Sequence, residues 1–267
     1  MSHHVKYDQN FLVDLNIAKK IIKFANLNKT DIVLEIGFGL GILTKIIQPK
    51  VSLILAVDID NNLSNKLKQY CEQYNIKNIK ILNIDFLKYN FQNDLKFKII
   101  SNLPYSIATK IIQKILPTAN WTIAIFMIQK ELAIRINSKI NNKAYSYISL
   151  FTSYYACSKI LFNVQPTCFK PQPKITSSVI LLVHKQVRQI SDENKNLLFG
   201  FIKHCFKTRR KTILNCISSF RYCGKPKALN ILTVCNINIF LRPNNLTLSN
   251  YLKLTEQIKK IISINNI

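Results

Sequence analysis

Short apolar segments alternate with longer amphipathic ones along the first half of the chain. Five runs rich in Ile, Val and Leu occupy residues 31–36, 52–58, 79–85, 97–102 and 122–128. They are almost continuously apolar, as expected of strands that are covered on both faces of a sheet. Helix-length segments stand between them, at residues 43–49, 62–74 and 106–116. This alternation predicts an α/β domain with a doubly wound, mostly parallel sheet and right-handed crossovers.

The pattern changes in the second half of the chain. Two more strands are predicted at residues 154–164 and 178–184, with a proline-rich link at 166–173 between them. From about residue 192 the periodicity is helical, and it predicts helices at residues 194–207, 208–220 and 248–262. We therefore predict a first domain over residues 1–188 and a small all-helical domain over residues 189–267.

The balance of charge indicates a polyanionic partner. The chain carries 38 Lys and Arg against 13 Asp and Glu, a net charge of +25. Ten of the acids lie at or before Glu131, and only three follow it, against 21 Lys and Arg. Such a basic region fits a nucleic acid or an anionic membrane surface. Codon bias in an AT-rich genome also raises the lysine count, but it does not explain the shortage of acids, so we favour a polyanion-binding surface.

Neither a membrane segment nor a metal site is expected. No apolar run reaches the roughly 18 uncharged residues that a membrane span needs, and the first residues lack the apolar core of a signal peptide. We therefore expect a cytoplasmic protein. The seven cysteines are scattered without a C-x-x-C pair, so we expect reduced thiols rather than metal ligands.

A glycine cluster follows the first predicted strand. Three of the five glycines are Gly37, Gly39 and Gly41, where a tight turn or a ligand that approaches the backbone requires glycine. Asp58 ends the second predicted strand and Asp85 ends the third. The carboxyl ends of parallel strands meet at one sheet edge, where a carboxylate such as Asp58 can accept both ribose hydroxyls. This pattern predicts an adenosine-bearing ligand, which both nicotinamide cofactors and S-adenosylmethionine satisfy.

A second motif, Asn102-Leu103-Pro104-Tyr105, follows the fourth predicted strand at the same edge. Its chemistry suits an adenine amine, a poor nucleophile because its lone pair is delocalised into the ring. Acceptors such as the Asn102 amide oxygen and a carbonyl aimed by Pro104 would draw the nitrogen towards tetrahedral geometry. Tyr105 offers a face on which the base can stack. The motif favours methyl transfer from S-adenosylmethionine, in which catalysis is mostly positioning.

At this point the sequence resembles the ribosomal small-subunit (16S) RNA adenine dimethyltransferases over nearly the whole chain. The matching motifs include residues 9–12, 35–41, 101–105, 129–131, 169–174, 206–212 and 241–246. The resemblance implies cofactor binding by Asn10, Leu12, Gly37, Asp58, Asp85 and Asn102. It implies catalytic roles for Asn102, Leu103, Pro104, Tyr105 and Phe169, with Phe169 facing the flipped base opposite Tyr105. It implies RNA binding by Arg209, Arg210 and Lys211.

The same resemblance implies the Rossmann-like sheet of an S-adenosylmethionine methyltransferase, followed by a small helical domain. The implied reaction is N6,N6-dimethylation of two adjacent adenines near the 3′ end of 16S rRNA, late in small-subunit biogenesis. The implied partner is 16S rRNA within the immature subunit, bound by a monomer without a metal. Two positions depart from the family pattern: Asp8 stands for the usual glycine, and Thr176 for the usual aspartate.

Three alternatives stay open on the sequence. A related enzyme could methylate adenine in 23S rRNA, although residues 169–174 and 206–212 favour the small-subunit family. A non-catalytic assembly factor could keep the fold, although the intact loop at residues 102–105 argues against it. An oxidoreductase would fit the glycine turn alone.

Overall fold

The computed structural model describes residues 9–90, 96–185, 190–220 and 223–264. The chain divides into two compact units, each described by itself. Unit 1 comprises Met1–Ile134 and Ala156–Lys185, and unit 2 comprises Arg135–Tyr155 and Gln186–Ile267. The predicted boundary at residues 188 and 189 and the departure at Asp8 lie outside the described residues. Residues 135–155, which the prediction assigned to the first domain, group with the second unit.

The strands are β1 (Phe11–Leu12), β2 (Ile32–Ile36), β3 (Leu53–Asp58), β4 (Ile79–Asn83), β5 (Phe97–Asn102), β6 (Trp121–Gln129), β7 (Ala156–Val164), β8 (Phe169–Lys170) and β9 (Ser177–His184). The helices are α1 (Leu15–Ala25), α2 (Ile42–Ile47), α3 (Asn61–Gln73), α4 (Ala108–Ile115), α5 (Lys130–Asn137), α6 (Tyr147–Tyr155), α7 (Asp192–Lys207), α8 (Ile213–Ser218), α9 (Gly224–Val234) and α10 (Leu248–Ile264). Short 3-10 turns lie at Gln48–Lys50, Phe86–Lys88, Pro166–Cys168 and Pro243–Asn245.

The main sheet of unit 1 has seven strands in the order β4-β3-β2-β5-β6-β9-β7. The pairs among β2 to β6 are parallel, whereas β9 runs antiparallel to both β6 and β7. The strand order reverses at β2, because β3 follows it on one side and β5 lies on the other. In open α/β sheets such a switch point opens a crevice at the carboxyl ends of the strands. The predicted doubly wound α/β sheet followed by helices is confirmed.

The continuous apolar runs form the centre of this sheet. Val33, Ile54, Ile99 and Ile125, one from each of the four central parallel strands, are fully buried. Helices cover such strands on both faces, which is why the runs are not interrupted by polar residues.

Helix α1 was not predicted from the sequence. The Asp14 carboxylate caps its first turn by accepting the backbone N–H groups of Asn16 at 2.8 Å and Ile17 at 3.1 Å. Its buried side chains recur at helical spacing and are Ala18, Ile21, Ile22 and Ala25. The capping aspartate and this spacing are the usual signals of an amphipathic helix.

A separate two-stranded sheet lies in unit 1. β1 pairs antiparallel with β8, so that Leu12 stands opposite Phe169 and Phe11 opposite Lys170. The backbone N–H of Val13 continues the ladder by donating to the carbonyl of Cys168 at 2.9 Å. The start of the described chain is therefore fixed to the segment that follows β7.

Two predicted elements of the second half were wrong in extent. Tyr154 and Tyr155, predicted to begin a strand, end helix α6, because they pack on the Phe199 ring of unit 2 at 5.3 Å and 5.8 Å between centroids. The predicted helix at 208–220 is a turn followed by the shorter α8. The Thr212 hydroxyl caps α8 by accepting the N–H of Asn215 at 3.4 Å, which fixes where the helix begins.

Within the described residues, no helix is both long and apolar enough to cross a membrane. The same part of the chain holds no group of three or more His, Cys, Asp and Glu side chains placed to bind a metal ion.

Candidate active site

The glycine turn links β2 to α2 with three left-handed residues in five positions. Gly37, Gly39 and Gly41 have φ values of +70°, +55° and +75°, which side chains rarely tolerate. The N–H of Gly37 donates to the Val57 carbonyl at 2.7 Å, which holds the turn against the end of β3. A Cβ at Gly39 would lie 2.9 Å from Cδ1 of Phe11. The turn therefore needs glycine there both for its conformation and for the close approach of β1.

Asp58 lies beside this turn at the end of β3. Its side chain is only 7% exposed. One carboxylate oxygen accepts the N–H of Gly39 at 3.1 Å, and the other accepts the N–H of Asp60 at 3.0 Å. Burial raises the pKa of Asp58, while these backbone bonds oppose the shift. Each oxygen keeps a lone pair for a further donor, so the carboxylate can receive a pair of hydroxyls.

Asp85 lies after β4, at the start of the 3-10 turn. One of its carboxylate oxygens accepts the N–H of Leu87 at 2.8 Å. Leu87 lines the same cavity as Asp85, and so does Ile59, which is 47% exposed. A carboxylate beside the exposed Ile59 and the partly buried Leu87 suits a flat heterocycle that carries an amine.

Asn102 ends β5 with its amide already oriented. The Nδ2 group donates to the backbone carbonyl of Asn10 at 3.0 Å. Because the donor end faces that carbonyl, the Oδ1 atom is the end left to act as an acceptor. The buried hydroxyl of the preceding residue, Ser101, accepts the N–H of Ile36 at 2.8 Å and so ties the end of β5 to the end of β2.

The rest of the Asn102 loop is anchored to the sheet. The N–H of Leu103 donates to the Met127 carbonyl at 3.1 Å. The Tyr105 hydroxyl is 2.5 Å from Oγ of Ser177, a fully buried side chain at the start of β9. These bonds restrict both the backbone of the loop and the direction of the tyrosine ring.

A cavity of about 410 Å³ opens at this edge of the sheet. Nine of the predicted catalytic and cofactor-binding residues line it, and they are Asn10, Leu12, Gly37, Asp58, Asp85, Asn102, Leu103, Pro104 and Tyr105. Most of them meet because the carboxyl ends of β4, β3, β2 and β5 lie side by side, and Asn10 and Leu12 reach the cavity from β1 and the residue before it.

Phe169 is the exception among the predicted catalytic residues. It does not line the cavity. Its side chain is 4% exposed and belongs to the same apolar cluster as Leu12, its partner across the two-stranded sheet. The predicted contact of Phe169 with a flipped base stays a prediction.

Glu35 is a cavity residue to which the sequence analysis gave no role of its own. Its side chain is 1% exposed, and one carboxylate oxygen accepts the hydroxyl of Thr44 at 2.7 Å. Burial raises the pKa of Glu35 to about 8. The sequence signal that could have singled out Glu35 is an acid inside an otherwise apolar strand, since unpaired carboxylates are rarely buried.

Arg209, Arg210 and Lys211, predicted to bind RNA, belong to unit 2 and do not line this cavity. All three side chains are exposed on the turn between α7 and α8. The sequence had predicted the triplet at the start of a helix. The Arg209 guanidinium donates to the Lys143 carbonyl at 3.0 Å. Their role in RNA binding stays a prediction.

Comparison with known proteins assigns the family. The family model described as "Ribosomal RNA adenine dimethylase" matches residues 1–260. The chain is 39% identical over 249 residues to the ribosomal RNA small subunit methyltransferase A of Malacoplasma penetrans, covering 93% of this chain and 89% of that protein. Among solved structures it is similar to a dimethyladenosine transferase from Plasmodium falciparum, with 26% identity, a TM-score of 0.82, and coverage of 94% and 98% of the two chains.

A second solved structure bears on the fold alone. The 23S rRNA methyltransferase ErmE is 21% identical with a TM-score of 0.71, covering 94% of this chain and all of that one. The fold of this chain is therefore shared with a 23S rRNA methyltransferase. The family model and the 39% identical relative decide the assignment, and they confirm the resemblance inferred from the motifs. The chain belongs to the ribosomal RNA adenine dimethylase family.

Proposed function

We propose that this protein dimethylates N6 of two adjacent adenines near the 3′ end of 16S rRNA, late in the biogenesis of the small ribosomal subunit. As a member of its family the chain is an rRNA adenine methyltransferase. The small-subunit substrate is supported by the name of the 39% identical relative. The observation that carries the chemistry is the oriented Asn102 amide, which lines the same cavity as Asp58.

The hydrogen-bonding groups that line the cavity suit S-adenosylmethionine. Gly37 and Gly39 line the cavity, and the methionine moiety would lie along the backbone of their turn. The Asp58 carboxylate would accept the ribose hydroxyls, and Asp85 would accept the adenine amine. Asn10 and Leu12 would cover the ligand from the two-stranded sheet. When bound, S-adenosylmethionine supplies an electrophilic methyl group.

The residues of the loop would prepare the acceptor base. The Oδ1 atom of Asn102 would accept one N–H of the adenine amine, and the Leu103 carbonyl, in the rigid turn before Pro104, would accept the other. In the first transfer, holding both hydrogens keeps the nitrogen lone pair out of the ring and aims it into the cavity. In the second transfer, the monomethylated amine has one N–H left for these acceptors. The Tyr105 ring would stack on the base, which must leave its own stack to enter. No strong base is required, because the amine becomes acidic only after it has gained the methyl group.

The proposed setting is the cytoplasm, where the protein would meet the immature small subunit as a monomer. The three exposed cations at residues 209–211 would contact phosphates of the rRNA. Neither an anionic membrane nor a metal ion is part of the proposal.

The substrate can be tested by incubating the protein with labelled S-adenosylmethionine and mapping modified adenines by mass. Immature 30S particles and naked 23S rRNA serve as the two substrates. We expect N6,N6-dimethyladenine at two adjacent positions near the 3′ end of 16S rRNA. Methylation of naked 23S rRNA alone would instead support the large-subunit alternative, and RNA binding without any transfer would support an assembly factor.

The role of Asn102 can be tested with Asn102→Ala, and Asn65→Ala on the exposed face of α3 is the matched control. Loss of a positioned hydrogen-bond partner of a reacting group typically costs about 100-fold or more in kcat. We expect such a loss for Asn102→Ala, with RNA affinity retained, and no change for the control. Unchanged methylation by Asn102→Ala would refute the proposed role.

A further inference from the structure

Three loops of unit 2 are joined by hydrogen bonds into one edge. We call this the basic loop edge, and it comprises residues 139–143, 209–213 and 238–245. The Arg209 guanidinium donates to the carbonyl of Lys143 at 3.0 Å, linking the second loop to the first. The backbone N–H of Ile213 donates to the Leu241 carbonyl at 2.6 Å, linking it to the third.

The first and third loops are also bonded directly. The N–H of Asn141 donates to the carbonyl of Asn244 at 2.9 Å. The side-chain amide of Asn245 donates to the side-chain oxygen of Asn141 at 2.8 Å. Because each loop is bonded to the other two, the three form a continuous surface rather than independent turns.

This surface is cationic. Its exposed charged side chains are Lys139, Lys143, Arg209, Arg210, Lys211 and Arg242. The acids of unit 2 lie elsewhere. Asp192 and Glu193 are in the first turn of the 16-residue helix α7, roughly 24 Å from the end of α7 that meets the edge. Glu256 lies on α10 between Lys253 and Lys260, which offset its charge. The basic loop edge therefore carries an excess of positive charge, which attracts a polyanion.

Phe240 lies within this cationic surface with its side chain 76% exposed, more than the other exposed large apolar residues among those described. Its loop is ordered, since the Asn238 side chain accepts the N–H of Phe240 at 2.9 Å and the Asn238 carbonyl accepts that of Leu241 at 3.2 Å. A single exposed apolar residue needs no explanation by itself. An exposed aromatic ring on a hydrogen-bonded loop, with six cations on the same edge, is the combination that proteins use to bind single-stranded nucleic acid, with cations along the backbone and a ring under a base.

We propose that the basic loop edge binds a single-stranded stretch of RNA and that Phe240 stacks on one of its unpaired bases. The proposal rests on the proposed function, in which RNA is the partner. It adds that unit 2 selects unpaired over paired RNA. The six cations would contact phosphates of either paired or unpaired RNA. The ring gives a contact that only an unstacked base can accept.

The test is equilibrium binding of the full chain to two RNAs with the same number of phosphates, a hairpin with an unpaired loop and a blunt duplex. S-adenosylmethionine is left out, so that the outcome does not depend on methyl transfer. Because stacking on an aromatic side chain contributes on the order of 1–3 kcal/mol per base, Phe240→Ala should weaken hairpin binding about 5- to 150-fold. Duplex binding should not change, and Phe240→Tyr should bind both RNAs as the unmodified protein does.

Two further variants control the measurement. Tyr74→Ala removes an aromatic ring of unit 1 that is 60% exposed, and it should alter neither affinity. Arg210→Ala should weaken both RNAs alike and reduce the slope of log affinity against log salt by about 0.7–0.9. Equal hairpin affinity for Phe240→Ala and the unmodified protein would overturn the stacking proposal. So would equal losses on hairpin and duplex, even if methylation of 16S rRNA is observed.

Discussion

Gly39 offers the sharpest test of how the glycine turn and β1 form the cofactor site. Gly39→Ala adds a single methyl group to a residue with φ of +55°, and that methyl would lie 2.9 Å and 3.0 Å from Cδ1 and Cε1 of Phe11. Non-bonded carbon atoms essentially never come that close, so the ring must move. Since Phe11 lines the cavity and pairs with β8, its displacement should disturb cofactor binding as well as stability.

The magnitude follows from comparison with the other glycines. Gly41 has φ of +75°, but a Cβ there would meet its nearest neighbour at an ordinary 3.7 Å. Gly41→Ala should therefore cost only the left-handed conformation, about 1–2 kcal/mol. Gly39→Ala should cost about 1–3 kcal/mol more, the usual cost of overpacking. Gly200 in α7 has nothing within 4 Å of a Cβ, so Gly200→Ala should stabilise the protein by about 0.5–1 kcal/mol.

Urea unfolding measures the free energies, and calorimetric titration measures S-adenosylmethionine affinity. In the double variant of Phe11→Ala and Gly39→Ala the added methyl group no longer meets the Phe11 ring. The overpacking cost of Gly39→Ala should then disappear and its conformational cost should remain, so we expect a coupling energy of about 1–3 kcal/mol between the two substitutions. Equal destabilisation by Gly39→Ala and Gly41→Ala, with no coupling to Phe11, would refute the argument that β1 presses on the turn.

Two further predictions concern Glu35 and the Tyr105–Ser177 pair. Burial raises the pKa of Glu35 from 4.5 to about 8, so the folded protein keeps a proton that the unfolded chain releases. The free energy of unfolding should therefore fall as the pH rises from about 4.5 to about 8, by at most about 1.4 kcal/mol per pH unit. Urea unfolding of Glu35→Gln should show a weaker dependence of this free energy on pH. Ser177→Ala and Tyr105→Phe should each lower kcat/KM about 2- to 12-fold, because each removes the same neutral hydrogen bond, and the double variant should be no worse than either.

These predictions have clear contrary outcomes. A pH profile of Glu35→Gln as steep as that of the unmodified protein would mean that Glu35 is ionised in the folded state. Strictly additive losses for Ser177→Ala and Tyr105→Phe would mean that the two hydroxyls act separately. The Gln side chain can still accept the Thr44 hydroxyl, so lost activity in Glu35→Gln would point to a role for the charge itself.

The alternation of apolar runs and helix-length segments was sufficient to predict the parallel part of the sheet. The predicted runs at residues 31–36, 52–58 and 97–102 differ from β2, β3 and β5 by at most one residue at an end. Strands buried on both faces have few polar interruptions, so their pattern is strong. The last two residues of α6, Tyr154 and Tyr155, were mistaken for the start of a strand, because buried residues on all sides of a helix leave no period that distinguishes it from a strand.

The candidate site was predictable where chemistry is local to one motif. The glycine turn, Asp58, Asp85 and Asn102 each end or follow a strand, and parallel strands bring their carboxyl ends together by topology alone. The orientation of the Asn102 amide was not predictable, since it depends on the carbonyl of Asn10, 92 residues earlier. Likewise, the burial of Phe169 depends on the apolar cluster that it shares with Leu12, a residue far away in the sequence.

By itself the sequence was enough to predict the α/β sheet, an adenosine-bearing ligand at its edge and an adenine amine as acceptor, and it contains the basic second half. Each of these depends on residue type and on spacing along the chain, which the sequence states directly. Only the tertiary structure decided which groups restrain the loop at residues 102–105, where Phe169 lies, and that Phe240 lies within a surface of six cations. Those features depend on hydrogen bonds and burial between segments far apart in sequence, which form only when the chain has folded.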